Sequence, residues 1–165
     1  HPDLSHIVAL SGFVSVELLV NSCFGGLLKG YRKAVMQVEQ SANPDFVGCQ
    51  AVESLSKTKA KVLLIYSDND RLCRKEVHYD ALKKGLEGKE NIRFLLEQGK
   101  GHNPNYTADA VKYLGEYGSQ RAKRMRKKQS ETDLQKKEFL ASWDWDWMTA
   151  QDERVWDEIF RCFDS

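Results

Sequence analysis

The sequence predicts an α/β protein built on a parallel β-sheet, and three observations point there. Three apolar runs, His6–Leu10, Val62–Tyr66 and Ile92–Leu96, are short and nearly continuous, as strands buried on both faces of a parallel sheet are. Helical periodicity fills the chain between them, giving the strand-helix alternation of right-handed crossovers. Each run gives way to a turn or loop containing Gly, Ser, Asp or Asn.

The first run ends at Ser11-Gly12. From about Val16 to Gln40 the pattern is helical, broken at Gly25-Gly26, with Leu27, Leu28, Tyr31, Val35 and Val38 at helical spacing. Asn43-Pro44 reads as an N-cap with proline at the first helical position, opening a helix towards Leu55 that buries Phe46, Val47, Ala51 and Val52. After the second run comes the polar turn Ser67-Asp68-Asn69-Asp70. A helix through Val77, Ala81, Leu82 and Leu86 follows, with Gly88 as its stop. The third run leads into the loop Gly99-Lys100-Gly101-His102-Asn103-Pro104, and another helix begins near Thr107.

Beyond Tyr117 the character changes. Gln120 to Glu138 is almost wholly polar, with six Lys or Arg among residues 121 to 128, and reads as a solvated helix extension. Trp143, Trp145 and Trp147 alternate with Asp, which suggests a short extended segment laying one aromatic face on the body. Thr149 with Asp152 three residues on resembles a capping box. The helix it opens is expected to bury Val155, Trp156, Ile159, Phe160 and Phe163.

The 165 residues, 41% hydrophobic and 30% charged, fit one globular domain over 1–165. The net charge of +1 gives no global pull towards nucleic acid or a membrane. No stretch approaches a membrane span or resembles a signal peptide. The four cysteines stand singly, without a CxxC pair, which suits a reduced, cytoplasmic set better than a disulfide framework or a zinc site.

Asp70 and His102 are the candidate chemical residues. Both fall just beyond the carboxyl ends of successive strands, where functional groups of a parallel sheet collect. A carboxylate there can accept the Nδ1–H of an imidazole, fix its tautomer and stabilise its protonated form. Asp68, two residues earlier, competes for the acid role, and Asp at such a place also simply forms turns. His78 lies on a predicted helix among charged residues and is expected to face solvent. His1 and His6 have no partner at metal-ligand spacing, so no metal is expected.

The segment Val62-Leu-Leu-Ile-Tyr-Ser-Asp-Asn-Asp70 resembles the strand and turn that carry the acid in the α/β-hydrolase superfamily. Gly99-Lys-Gly-His102-Asn-Pro resembles the loop that carries its histidine, in the same order. The resemblance covers roughly residues 5 to 117. Two departures stand out: Ser67 replaces the usual Gly before the acid turn, and no G-x-S-x-G occurs. Leu10-Ser11-Gly12 lacks the flanking glycines of that elbow.

The resemblance therefore implies the C-terminal part of such a fold, with the nucleophilic Ser roughly 20–25 residues upstream of His6 and the oxyanion-hole amides lost with it. It implies a serine hydrolase of an ester or amide, with Asp70 as acid and His102 as base, and no cofactor. The implied partners are a small acyl substrate and the missing N-terminal half of the same domain; nucleic acid is not an expected partner. Residues 13–43 sit where such proteins insert a lid, and their apolar side chains suit an acyl pocket or core packing equally well. Residues 118–165 form a charged helical extension and a terminal helix. The competing reading is a non-catalytic domain that binds a partner through this basic extension. On either reading the first strand exposes an apolar sheet edge, so the isolated chain is expected to associate or to be only marginally folded.

Overall fold

The computed structural model describes residues 4–126 and 132–165. Among these, three strands form a parallel sheet: β1 (His6–Leu10), β2 (Lys61–Ser67) and β3 (Ile92–Glu97), in the order β1-β2-β3. Ile7 pairs with Val62, and Val62 with Ile92. β2 is buried from Val62 to Ser67 because both of its faces are covered.

Val62, Leu64 and Tyr66 face a core with Val14, Cys73, Tyr79, Leu82 and Leu86. The alternate residues Leu63 and Ile65 face Val155, Ile159 and Cys162. This alternation follows from the pleat, which sends successive side chains to opposite faces. The central strand is thus apolar from Val62 to Tyr66, while among the described residues β1 is paired along one edge alone.

Helix α1 (Val16–Cys23) is N-capped by Ser15, whose hydroxyl accepts from Leu18 N at 3.2 Å. A 3₁₀ segment (Gly26–Tyr31) leads into α2 (Arg32–Ala42). Leu18 and Leu19 pack on the core, whereas Leu27, Leu28, Tyr31 and Val38 are exposed. The 13–43 segment therefore packs on the core through Val14 and its first helix, while its later apolar side chains face outward.

Asn43 closes α2 rather than opening the next helix: its N–H donates to Glu39 O at 2.8 Å. Asn suits helix ends of both kinds, and Pro44 stands where a helix has already stopped. Turns follow, so α3 spans only Ala51–Lys57, and Phe46 is exposed instead of buried.

A π-helical turn (Lys75–Tyr79) precedes α4 (Asp80–Gly85), which ends three residues before Gly88. Helix α5 (Ala108–Arg126) carries much of the basic run; Lys127 and Lys128 lie outside the described residues. The polar stretch resumes as a separate helix, α6 (Asp133–Ala141), whose capping box is Thr132 with Gln135. Trp145–Met148 is a single helical turn, α7, capped by Asp144, not an extended segment. Alternating Asp is read here as a cap followed by a first-turn acid. Trp143 is buried against Tyr113, Tyr117 and Phe139, while Trp145 and Trp147 remain exposed.

Helix α8 (Glu153–Phe163) is capped by Asp152 itself, which accepts from Arg154 N and Val155 N. Thr149 plays no part in that cap. Val155, Ile159 and Cys162 are buried, but Phe160 and Phe163 are exposed. Among the described residues no helix is long and apolar enough to cross a membrane.

Candidate functional site

Two loops at the carboxyl ends of β2 and β3 converge, and a set of local hydrogen bonds holds them. Asp68 Oδ1 accepts from Gly99 N at 2.8 Å, and Asn69 Oδ1 accepts from Gly101 N at 2.7 Å. Ser67 Oγ accepts from Lys100 N at 3.0 Å and donates to Asn69 Oδ1 at 2.9 Å. Gly99 and Gly101 have φ of +72° and +55°, a region that side chains disfavour, so glycine lets the second loop fold back upon the first.

These contacts bring Asp70 and His102 together. His102 Nδ1 lies 2.8 Å from Asp70 Oδ2. The Asp70 side chain is 0% exposed, and its other oxygen accepts from Leu72 N at 2.8 Å and Cys73 N at 3.1 Å. An ionised carboxylate only accepts, so Nδ1 carries the proton of the shared bond and Nε2 is left with a lone pair. The His102 ring is 44% exposed, and among the described residues nothing hydrogen-bonds Nε2. The pair therefore offers a base oriented by a buried acid. Asp68, the alternative acid, is engaged with the Gly99 amide and meets no histidine.

Ser67 fills the position where the resembled pattern has glycine, and its hydroxyl is one of the ties just described. Ser11, at the end of β1, is the in-chain serine nearest to an elbow pattern. It is 5% exposed, with φ +48° and a buried hydroxyl that has no partner among the described residues. A buried hydroxyl is not presented to a substrate as an elbow serine must be.

The structure adds four residues that the sequence did not single out: Lys100, Glu97, Arg154 and Cys73. Lys100 is buried two residues before His102, and its ammonium lies 3.0 Å from Glu97 and 2.5 Å from Asp152. Arg154 also pairs with Glu97. The β3 end, the His102 loop and the α8 cap thus share one ion network. Burial works against the Asp152 carboxylate, but the Lys100 hydrogen bond and charge outweigh it and lower its pKa.

Cys73 is buried beside the pair. A thiol sulfur of Cys73, a carboxylate oxygen of Asp70 and a ring nitrogen of His102 all lie within 4.8 Å of one another. Burial first, and the Asp70 charge second, push the thiol up to about 11, so it stays protonated and is a poor nucleophile at neutral pH. The spacing Asp70-x-x-Cys73 across a turn was the available signal.

His78 corrects an expectation: it is fully buried, and Val14 N donates to its Nδ1 at 3.3 Å. Burial lowers its pKa. Its spacing of four and eight residues from Leu82 and Leu86 puts it on their apolar face, a signal that its charged neighbours in sequence obscure.

His6 contacts Ser5 and the Ser165 carbonyl, and His1 lies outside the described residues. No protein-family model, curated protein or solved structure matches the chain.

Proposed function

We propose that this chain supplies the acid, Asp70, and the base, His102, of a serine hydrolase acting on an ester or amide. The observation that carries the reading is the 2.8 Å contact between His102 Nδ1 and the fully buried Asp70 Oδ2. The order of the parallel strands supports the α/β-hydrolase resemblance, with the acid after β2 and the base after β3. Fold alone would not carry it, because one fold hosts many activities.

In this reading a serine from outside the chain attacks the carbonyl, and His102 Nε2 accepts its proton. Asp70 stabilises the imidazolium without taking the proton, which passes on to the leaving group. The unpaired edge of β1 is where the nucleophile strand would add. Without that serine and its oxyanion amides, the 165-residue chain alone has no covalent catalysis.

The test is to read the coding sequence upstream of His1 and express the chain with it. The expected result is a G-x-S-x-G roughly 20–25 residues before His6, with a serine that a fluorophosphonate labels and that His102→Ala silences. A stop codon close upstream, or labelling indifferent to His102→Ala, overturns the proposal.

One observation favours a second reading, a binding domain. Between α5 and α6 lies a groove of Tyr117, Met125, Phe139 and Leu140, rimmed by Arg121, Arg124 and Lys136. That apolar floor with a cationic rim suits an anionic partner.

A further inference from the structure

We infer that Asp70, Cys73 and His102 form a binding site for a thiophilic divalent cation of the Zn²⁺ class, and that its occupancy replaces the proton shared by Asp70 and His102. The inference goes beyond the hydrolase reading and stands on geometry alone. Only its consequence, that the bound cation switches off the base, rests on that reading.

The donor set is one sulfur, one nitrogen and one carboxylate oxygen, all within 4.8 Å. Bond lengths of about 2.0–2.3 Å place tetrahedral zinc ligands about 3.5 Å apart, so from 4.8 Å no donor pair needs to close by more than about 1.3 Å. The half-exposed ring of His102 has room to do so, while Asp70 and Cys73 are held by the core and by the Cys73 N–H to Asp70 hydrogen bond. Three protein ligands leave a fourth position for water, and the exposed side of His102 gives the ion a path from solvent.

The chemistry of the donors selects the ion. A thiolate with an imidazole favours zinc over magnesium or calcium, which prefer all-oxygen shells. The Asp70 charge that disfavours a free thiolate equally favours a cation at the same place. A metal must displace the thiol proton to solvent, so binding strengthens as pH rises, while the imidazole proton shifts from Nδ1 to Nε2 and the base loses its free lone pair.

In sequence the site is visible only as Asp70-x-x-Cys73, because the cysteines stand singly and His102 lies 29 residues beyond Cys73. The fold supplies the site: β2 ends at the Asp70 turn, Cys73 follows within it, and the latched loop after β3 brings His102 across. Cys23 and Cys49 are exposed and Cys162 lies on the opposite face of the sheet, so none of them joins the cluster.

The experiment is titration of the reduced chain with Co²⁺, followed by displacement with Zn²⁺. A near-ultraviolet thiolate-to-cobalt band saturating at one equivalent is expected, abolished by Zn²⁺, by Cys73→Ser and by His102→Ala. It should persist when both exposed cysteines are changed, in Cys23→Ser/Cys49→Ser. Cys73→Val, which refills the buried space, must also lose the band while keeping the far-ultraviolet circular dichroism of the parent, so that loss of the fold is not mistaken for loss of a ligand. Absence of the band, or its survival in Cys73→Val, overturns the inference. The readout is spectral, so failure here leaves the hydrolase reading standing, and an unlabelled upstream serine leaves the metal site standing.

Discussion

Lys100 Nζ lies 2.5 Å from Asp152 Oδ2, so the residue two before His102 is tied to the cap of the helix packed on the far face of the sheet. The same ammonium donates to the Pro104 carbonyl at 3.3 Å and forms an ion pair with Glu97 at 3.0 Å. The His102 loop is therefore held from two sides: by the Asp70 turn, and by α8.

Lys100→Met should destabilise the chain by about 3 kcal/mol, because it leaves the buried Glu97 charge with only Arg154. The urea midpoint should fall with an unchanged slope. Asp152 contributes a pH dependence at the acid end. Its folded pKa is depressed, so its stabilisation is present above the unfolded value of about 3.9 and is lost as pH falls through the folded value. Asp152→Asn should be less stable near neutrality and lose less stability between pH 5 and about pH 3; equal acid slopes for the two proteins would remove the network from the account.

Asn69 makes a second, separable prediction. Its carboxamide oxygen accepts from Gly101 N and from Ser67 Oγ, and the residue is exposed, so Asn69→Ala removes a latch without opening the core. A loss of about 1 kcal/mol is expected, seen as roughly fivefold faster hydrogen exchange at Gly101, with core amides such as Leu64 unchanged. Uniform acceleration through β2 would mean that the loops are not locally hinged.

His78 gives a prediction near neutral pH. Its folded pKa is lowered by burial, so the unfolded chain takes up a proton first as pH falls. Stability from the neutral ring is complete above the unfolded pKa of about 6.5 and declines below it, by up to about 1.4 kcal/mol per pH unit, until the folded pKa is passed. Urea unfolding at pH 7.5 and 5.5 should show that decline. His78→Asn keeps an acceptor for Val14 N and should flatten it; an unchanged slope would place the titrating group elsewhere.

These residues also show which parts of the molecule were legible in the sequence. β2 could be read from Val62 to Tyr66 because apolar residues at both parities require cover on both faces, and both covers are present. Asp70 and His102 could be placed at strand ends for the same reason, and the backbone then brings them within hydrogen-bond reach. Lys100 with Asp152 could not be read, since a contact across 52 residues leaves no periodicity. Asn43 and Thr149 depart from their expected places for one cause: Asn and Thr serve several helix-end roles, and only the backbone decides among them. Phe160 and Phe163 were overcounted as core because α8 presents Val155, Ile159 and Cys162 to a sheet only three described strands wide.

The edge of β1 that no described strand pairs leads to the last prediction. Ser11 N donates to Ile65 O, and Ser5 O accepts from Lys61 N, so the odd-numbered residues of this strand bond to β2. By the alternation of a parallel ladder, the N–H of Val8 points to the unpaired side. Unpaired strand amides template pairing with another chain. Sedimentation of the purified chain should therefore show association that grows with concentration. Val8→Pro deletes the outward amide and no bond to β2, a substitution that edge strands tolerate. It should weaken association by about tenfold or more, equivalent to at least about 1.4 kcal/mol, at a modest cost in stability from the lost Val8 packing beside Leu63 and Ile65. A wild-type chain that stays monomeric at every concentration would show that the edge is protected, and equal association by Val8→Pro would move the contact to the exposed apolar side chains of the Gly26–Tyr31 turn.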